Sequence, residues 1–251
     1  MTTQSNTESG DAGFYTAGGY ASRHPTWHVE DSAWKAAQIV KMLRRHDLRP
    51  SKVCEVGCGA GEILRQLRGP LGDDARLVGY EISPQAYELA VERSGPGLEF
   101  KLADFLAAPE PDVDLLLLID VIEHVEDHLG FLRRVRPHAQ HTILHIPLDL
   151  SVEWVLRGEP LVEEWRTMGH LHSFTKGLAF EALEAAGFQV VDSLYTPWGL
   201  DLHYPSWRAV WAAESRVKAT LRKLLLHGVS AIDEDLCARM LRGWSLLVLA
   251  R

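Results

Sequence analysis

Short aliphatic and β-branched runs alternate along this chain with stretches whose apolar residues recur at helical spacing. That alternation is the pattern of strands covered by helices. The runs at 53–56, 76–80, 98–101, 113–119, 141–146, 188–195 and 244–250 predict seven strands. The fourth is almost entirely aliphatic, as a parallel strand buried on both faces requires. Between the runs, an amphipathic stretch opens at Ile63, and Ser83-Pro84 supplies an N-cap followed by proline at the first helical position. That second helix runs to about Arg93 and stops at 94–97, Ser-Gly-Pro-Gly. A third covers 127–135 and ends at Pro137. Ser173 or Thr175 caps a fourth through Leu178, Phe180, Leu183 and Ala186, with Gly187 at its C′ position. The pattern predicts an α/β protein.

The first strand runs into Glu55-Val56-Gly57-Cys58-Gly59-Ala60-Gly61-Glu62, a strand, a tight turn and a helix start. The turn has no side chains to keep its backbone away from a ligand. Dinucleotide-binding turns place a third glycine where this chain has Glu62, which argues against a nicotinamide-type oxidoreductase. The second strand ends on Glu81, about 20 positions past the loop, where an acid suits a bidentate hydrogen bond to ribose hydroxyls. Ala103-Asp104-Phe105 follows the third strand and Asp120-Val121-Ile122-Glu123-His124-Val125 the fourth.

These four landmarks, in this order, resemble the class I (Rossmann-like) S-adenosylmethionine (SAM)-dependent methyltransferases, of the type that acts on small molecules. Glu55 to Gly61 looks like motif I, and the Asp120 segment looks like motif IV. The resemblance covers roughly 36–195 and the last strand. It implies a seven-stranded doubly wound sheet with an antiparallel last strand, with ligands at the C-terminal strand ends. It also implies SAM as cofactor, held by Glu55, Gly57, Gly59, Gly61, Glu81, Ile82, Asp104, Phe105, Asp120 and Val121. In this scheme the glycines shape the loop, Glu81 holds the ribose, Asp104 and Phe105 hold the adenine, and Asp120 and Val121 lie near the methionine portion.

The departures lie around this core. About 45 residues separate the sixth and seventh strands, and Trp207, Val210, Trp211, Val217, Leu221, Leu224 and Leu225 recur there at helical spacing, with Gly228 as the stop. Asp233-Glu234-Asp235 starts a second short helix that Gly243 closes. An insertion at 148–172 carries Trp154 and Trp165. The N-terminal segment carries Tyr15, Tyr20, Trp27 and His28 ahead of a helix capped by Asp31 or Ser32. The expected organisation is a disordered 1–12, an N-terminal lid segment at 13–35, a cofactor domain at 36–198 and 243–251, and lid insertions at 148–172 and 199–242. The three covering segments read as a mostly helical lid that excludes water. Small-core packing and a homodimer interface are the other readings of the same aromatics. Arg208, Arg216, Lys218, Arg222 and Lys223 fit the solvated face of the inserted helix.

Composition narrows the partners. A net charge of −8 argues against a nucleic-acid target. No run is long enough to cross a membrane, and the polar first residues lack a signal peptide's basic start and apolar centre. Cys54, Cys58 and Cys237 give neither metal spacing nor a disulfide framework, so a reducing cytoplasm is expected.

Methyl transfer is an in-line displacement at a sulfonium, so the protein mainly positions and desolvates the reactants and, for some nucleophiles, supplies a base. Histidine suits that base at neutral pH. His145 at the fifth-strand exit, His172 in His170-Leu171-His172-Ser173-Phe174 and His203 near Tyr204 are the candidates. His124, inside motif IV, reads as structural or cofactor-side. His145, Asp149, His170 and His172 include ligand types for a metal, but no tight ligand motif supports one, so none is expected. The expected reaction is methylation of an oxygen or nitrogen nucleophile on a small-molecule metabolite. The alternatives are intramolecular displacement on the cofactor's aminobutyl arm, releasing methylthioadenosine, and a catalytically silent SAM-binding partner protein.

Overall fold

The aliphatic runs form seven strands of one sheet: β1 (Lys52–Val56), β2 (Arg76–Glu81), β3 (Leu98–Leu102), β4 (Val113–Ile119), β5 (Ala139–Pro147), β6 (Val190–Thr196) and β7 (Ser245–Ala250). The computed structural model describes residues 12–198, 228 and 233–251. The helix expected at 207–226 with its basic face, the 1–11 segment and His203 lie outside the described residues. The strand order is β3-β2-β1-β4-β5-β7-β6. β7 pairs antiparallel with both neighbours, and the remaining ladders are parallel. The order therefore reverses between β1 and β4, and the crevice at such a switch point is where ligands bind in open α/β sheets.

The described residues contain ten α-helices: α1 (Ala12–Thr16), α2 (Gly19–Arg23), α3 (Val29–Arg45), α4 (Glu62–Leu71), α5 (Pro84–Val91), α6 (His128–Val135), α7 (Val152–Arg157), α8 (Glu159–Thr167), α9 (Lys176–Ala185) and α10 (Glu234–Met240). Alternation along β4 sends Leu115, Leu117 and Ile119 into one core cluster, with Ile39 and Met42 of α3 and Leu64 and Leu67 of α4. Leu116 and Leu118 enter the opposite cluster, with Phe131 and Leu132 of α6 and Leu183 of α9. Both faces are covered, which explains why β4 reads as a continuous aliphatic run.

Local chemistry sets several boundaries. Ser83 caps α5 with its hydroxyl toward Ala86 N, Thr175 rather than Ser173 caps α9, and Asp233 caps α10. The expected Asp31 or Ser32 cap is not used. α3 starts earlier, at Val29, after His28 in left-handed conformation (φ 56°). Asp31 falls inside the first turn and pairs with Lys35 at 3.0 Å, while the Ser32 hydroxyl donates back to the His28 carbonyl at 3.3 Å. The 148–172 insertion forms α7 and α8, turned at Gly158. Trp154 is buried there, whereas Trp165 is 46 % exposed. Among the described residues no helix is long and apolar enough to cross a membrane.

Candidate active site

The glycine loop is held open by its neighbours. The N–H groups of Gly57 and Cys58 both donate to the Tyr80 carbonyl, at 2.9 and 3.0 Å, tying the loop to β2. Gly57, Gly59 and Gly61 all have positive φ (71°, 53° and 75°). A Cβ on Gly61 would overlap the Phe100 ring, whereas one on Gly59 would meet only Trp27, at 3.9 Å. Gly61 thus serves packing, and Gly59 leaves the loop's open side bare. Glu81, 5 % exposed, organises the turn: Oε2 accepts Gly59 N–H at 2.8 Å and Oε1 accepts the N–H groups of Ile82 and Ser83 at 2.9 and 2.8 Å. Burial raises its carboxyl above the usual range, and the three backbone donors pull it back.

A cavity of about 990 Å³ opens over the C-terminal ends of β1, β2, β4 and β5. That is the upper end of the range for small-molecule sites. Glu55, Gly57, Gly59, Glu81, Ile82, Asp104, Phe105, Asp120 and Val121 line it; Gly61 lies behind the loop. Phe105 does not offer a ring face as expected. It is 1 % exposed, packed at right angles to Tyr80 and His138 in the core, and shares the apolar wall at this end with Ile82, Ala103 and Leu106. Asp104 is exposed and turned partly inward on its own loop, accepting Leu106 N–H at 2.9 Å. The N-terminal segment forms the opposite wall with Tyr15, Tyr20, Trp27 and His28. Tyr20 bonds His28 and lies against Trp27.

At the switch point a chain of polar groups crosses the floor. Lys35 Nζ lies 2.6 Å from Asp120 Oδ2, Asp120 Oδ1 lies 2.5 Å from His145 Nδ1, and His145 Nε2 lies 3.0 Å from Thr196 Oγ1. Burial alone would raise the Asp120 carboxyl, but the charges of His145 and Lys35 hold it well below its ordinary value. Asp120 itself is left-handed, with φ 53°. His145 lines the cavity, yet it is 3 % exposed and both ring nitrogens are occupied, which suits orienting Asp120 rather than meeting a substrate proton. His172 departs from expectation. Its Nε2 sits on the carbonyls of Val125 and Glu126, at 3.0 and 3.2 Å, and its ring lies tilted against His128, so it fastens a loop outside the cavity.

Beyond the glycine loop the same cavity is lined by His124, Asp149, Trp154, Glu164, Met168 and His170. Backbone bonds from Leu171 and His172 to the Glu123 carbonyl pin the 169–172 loop against the motif IV turn. Asp149 Oδ2 lies 2.6 Å from His170 Nδ1, and Tyr15 Oη 2.8 Å from His124 Nδ1. Burial raises the Glu123 carboxyl to about 8 and Glu164 to about 7, and lowers His124 to about 3. Burial would lower His170 too, but Asp149 brings it up to about 9. Lys35, Thr196 and Glu164 are not marked by any pattern in the sequence, and Glu123 is marked only as part of the motif IV segment. The contact of Lys35 with Asp120 exists only through the fold.

The loop end of the cavity fits SAM on one observation above the others. Glu55 is 1 % exposed and its Oε2 has no hydrogen-bond partner, so a buried carboxylate faces a site that would receive a cationic amino-acid tail. Comparison with known proteins agrees. The sequence profile of the family described as "Methyltransferase domain" matches residues 29–193. The ubiquinone biosynthesis O-methyltransferases of Cereibacter sphaeroides and Ruegeria pomeroyi are 27 % identical over 155 residues, 56 % of this chain and 61 % of theirs. The match therefore spans under two thirds of those relatives. Among solved structures, a chain of the complex between the Haloferax volcanii Trm112 methyltransferase activator and a methyltransferase has a TM-score of 0.64 at 18 % identity, covering 92 % of this chain and 95 % of that one. The plantazolicin methyltransferase BpumL, in complex with SAH, gives 0.54 at 15 %, covering 93 % and 87 %. These structural likenesses carry the fold. With the family profile matched over well over half its length, the chain belongs to the class I SAM-dependent methyltransferases.

Proposed function

We propose that the protein transfers the methyl group of SAM to an oxygen or nitrogen nucleophile of a small-molecule acceptor. The observation that carries this reading is the cavity's extent. It continues past the glycine loop and Asp120 into the compartment of Trp154, Glu164, Met168 and His170, which leaves room for a second molecule beside the cofactor. A site built for displacement within SAM itself would need no such room. The O-methyltransferase relatives point the same way.

SAM, when bound, supplies the methyl group and its own leaving group. The chain's residues do the rest. The bare side of Gly59 lets the backbone approach the nucleoside, and Glu81 Oε2 keeps a lone pair beyond the one given to Gly59. Ile82 and Leu106 would flank the adenine, with Asp104 at its edge. The Glu55 carboxylate would meet the positively charged tail. Asp120, braced by Lys35 and His145, fixes the wall nearest the methyl group. Catalysis then comes mainly from alignment and exclusion of water by the aromatic wall of Tyr15, Tyr20 and Trp27.

The test is a mass-spectrometric screen of the full chain with SAM and a panel of phenols, alcohols and amines. Acceptor-dependent S-adenosylhomocysteine with a product heavier by one methylene is expected. Acceptor-independent methylthioadenosine would overturn the reading.

A further inference from the structure

Behind the Asp120 floor, the sequence brings three ligand-type side chains to one point. Glu123 and His124 are neighbours in the turn after β4, and His170 is delivered by the loop pinned to the Glu123 carbonyl. Their donor atoms all lie within 4.8 Å of one another, with Glu123 Oε1 3.9 Å from His124 Nε2.

Each of the three is prepared in a different way. Glu123 is 0 % exposed, and neither of its carboxylate oxygens has a hydrogen-bond partner. A buried carboxyl without partners keeps its proton or is met by something positive, so it is suited to take a cation in exchange for that proton. His170 Nδ1 is 2.6 Å from Asp149 Oδ2, which leaves Nε2 as the nitrogen an ion can take in exchange for a proton. His124 Nδ1 is 3.0 Å from the Gly169 carbonyl and 2.8 Å from Tyr15 Oη, so both contacts on Nδ1 leave Nε2 for the cluster. A ring whose second nitrogen donates to a carboxylate or carbonyl is the arrangement that orients metal-ligating histidines. Asp149 and Glu164 line the same cavity.

We infer that Glu123, His124 and His170 form a binding site for a divalent first-row transition ion, with Asp149 and the Gly169 carbonyl orienting the two imidazoles. Two nitrogens and one carboxylate oxygen suit zinc and its neighbours, and are a poor set for calcium or magnesium. On a tetrahedral ion with bonds of about 2.0–2.1 Å the donors stand roughly 3.3 Å apart, so no pair needs to close by more than about 1.5 Å. Side-chain rotation supplies that. Three protein donors leave coordination positions open, and His124 and His170 line the cavity, so an acceptor oxygen could complete the shell. That last consequence rests on the methyl-transfer reading; the ion site does not.

The full chain, stripped with a chelator and dialysed, is titrated with zinc chloride and cobalt chloride, followed by calorimetry, by visible absorption for cobalt, and by thermal unfolding. One equivalent is expected at micromolar affinity or tighter, with cobalt d–d bands and a metal-dependent rise in Tm. Glu123→Gln and His170→Gln should each weaken binding at least 100-fold, and Asp149→Asn about 10–100-fold. His46→Asn, on the far pairing with Asp192, should leave it unchanged. Circular dichroism confirms that each variant is folded. Should one variant fail to fold, the other and the wild-type stoichiometry and cobalt spectrum decide. Wild-type protein that takes up no ion tighter than about 0.1 mM, or folded variants that bind as well as wild type, would overturn the site. None of these readouts requires turnover, so failure of the site and failure of the methyl-transfer reading are told apart.

Discussion

Oε2 of Glu81 accepts the backbone N–H of Gly59 at 2.8 Å, so the acid that ends β2 also sets the shape of the glycine loop. The relationship makes Glu81 more than a ligand contact. Glu81→Ala leaves three N–H groups, the buried one of Ser83 and the part-buried ones of Gly59 and Ile82, without their acceptor. Hydrogen bonds to a charged group are worth about 1.5–3 kcal/mol each, which sets the scale of the loss. SAM affinity measured by calorimetry should fall about 10- to 100-fold for Glu81→Ala, with a lower Tm. Glu81→Gln keeps one acceptor oxygen and should recover part of the Tm but little of the affinity. Unchanged SAM binding in Glu81→Ala would remove this residue from the site.

Much of this was legible before any coordinates. The β4 run has a single interpretation because both of its faces are buried, and the loop glycines carry their signal in spacing alone. An aromatic beside Asp104 reads equally as a ligand platform or as core, and Phe105 both lines the cavity and packs against Tyr80 in the core. His172 and His170 are separated by one residue and look equivalent in sequence. The fold puts His170 on the cavity beside Asp149 and His172 on the carbonyls of Val125 and Glu126, a difference that spacing alone does not carry. The Lys35–Asp120–His145–Thr196 chain draws on four elements 161 residues apart end to end (from 35 to 196), and no local pattern encodes it.

Gly61 separates packing from ligand contact. Its φ of 75° disfavours any side chain, and its missing Cβ faces the Phe100 ring. Gly61→Ala should destabilise the protein by roughly 2–4 kcal/mol, combining left-handed strain with overpacking. Adding Phe100→Leu should return part of the overpacking cost but none of the backbone cost. Denaturant unfolding of the two variants measures both. A double variant no more stable than Gly61→Ala would show that the ring is not the obstacle.

The ion pair of Lys35 with Asp120 can be weighed by a double-mutant cycle. Removing one partner leaves the other charged in a largely buried place, so Lys35→Met and Asp120→Asn should each cost about 3–5 kcal/mol or less, the Asp120 change also unpairing His145. The double variant should lose less than the sum, with a coupling of roughly 1–3 kcal/mol in chemical unfolding. Strict additivity would mean that the two side chains do not pair in solution.

The start of α4 carries a pH-dependent brace. Glu62 receives Arg65 through Nε at 2.7 Å, Gln66 at 2.7 Å and Arg93 through Nε at 2.9 Å, joining α4 to the end of α5. Arg65 chiefly, against the opposing effect of burial, and then Gln66 and Arg93 hold the carboxyl down to about 2 from its ordinary 4.5. A carboxyl depressed on folding binds fewer protons folded than unfolded between those two values. Its stabilisation is therefore complete above about pH 4.5 and is lost as the pH falls toward 2. Glu62→Gln should cost about 1–2 kcal/mol at neutral pH, or roughly 2–8 °C in Tm. The Tm gap between wild type and Glu62→Gln should hold steady from pH 7 to about 5 and narrow continuously below 4.5. A gap that stays constant down to pH 3 would mean the brace acts by packing and not by charge.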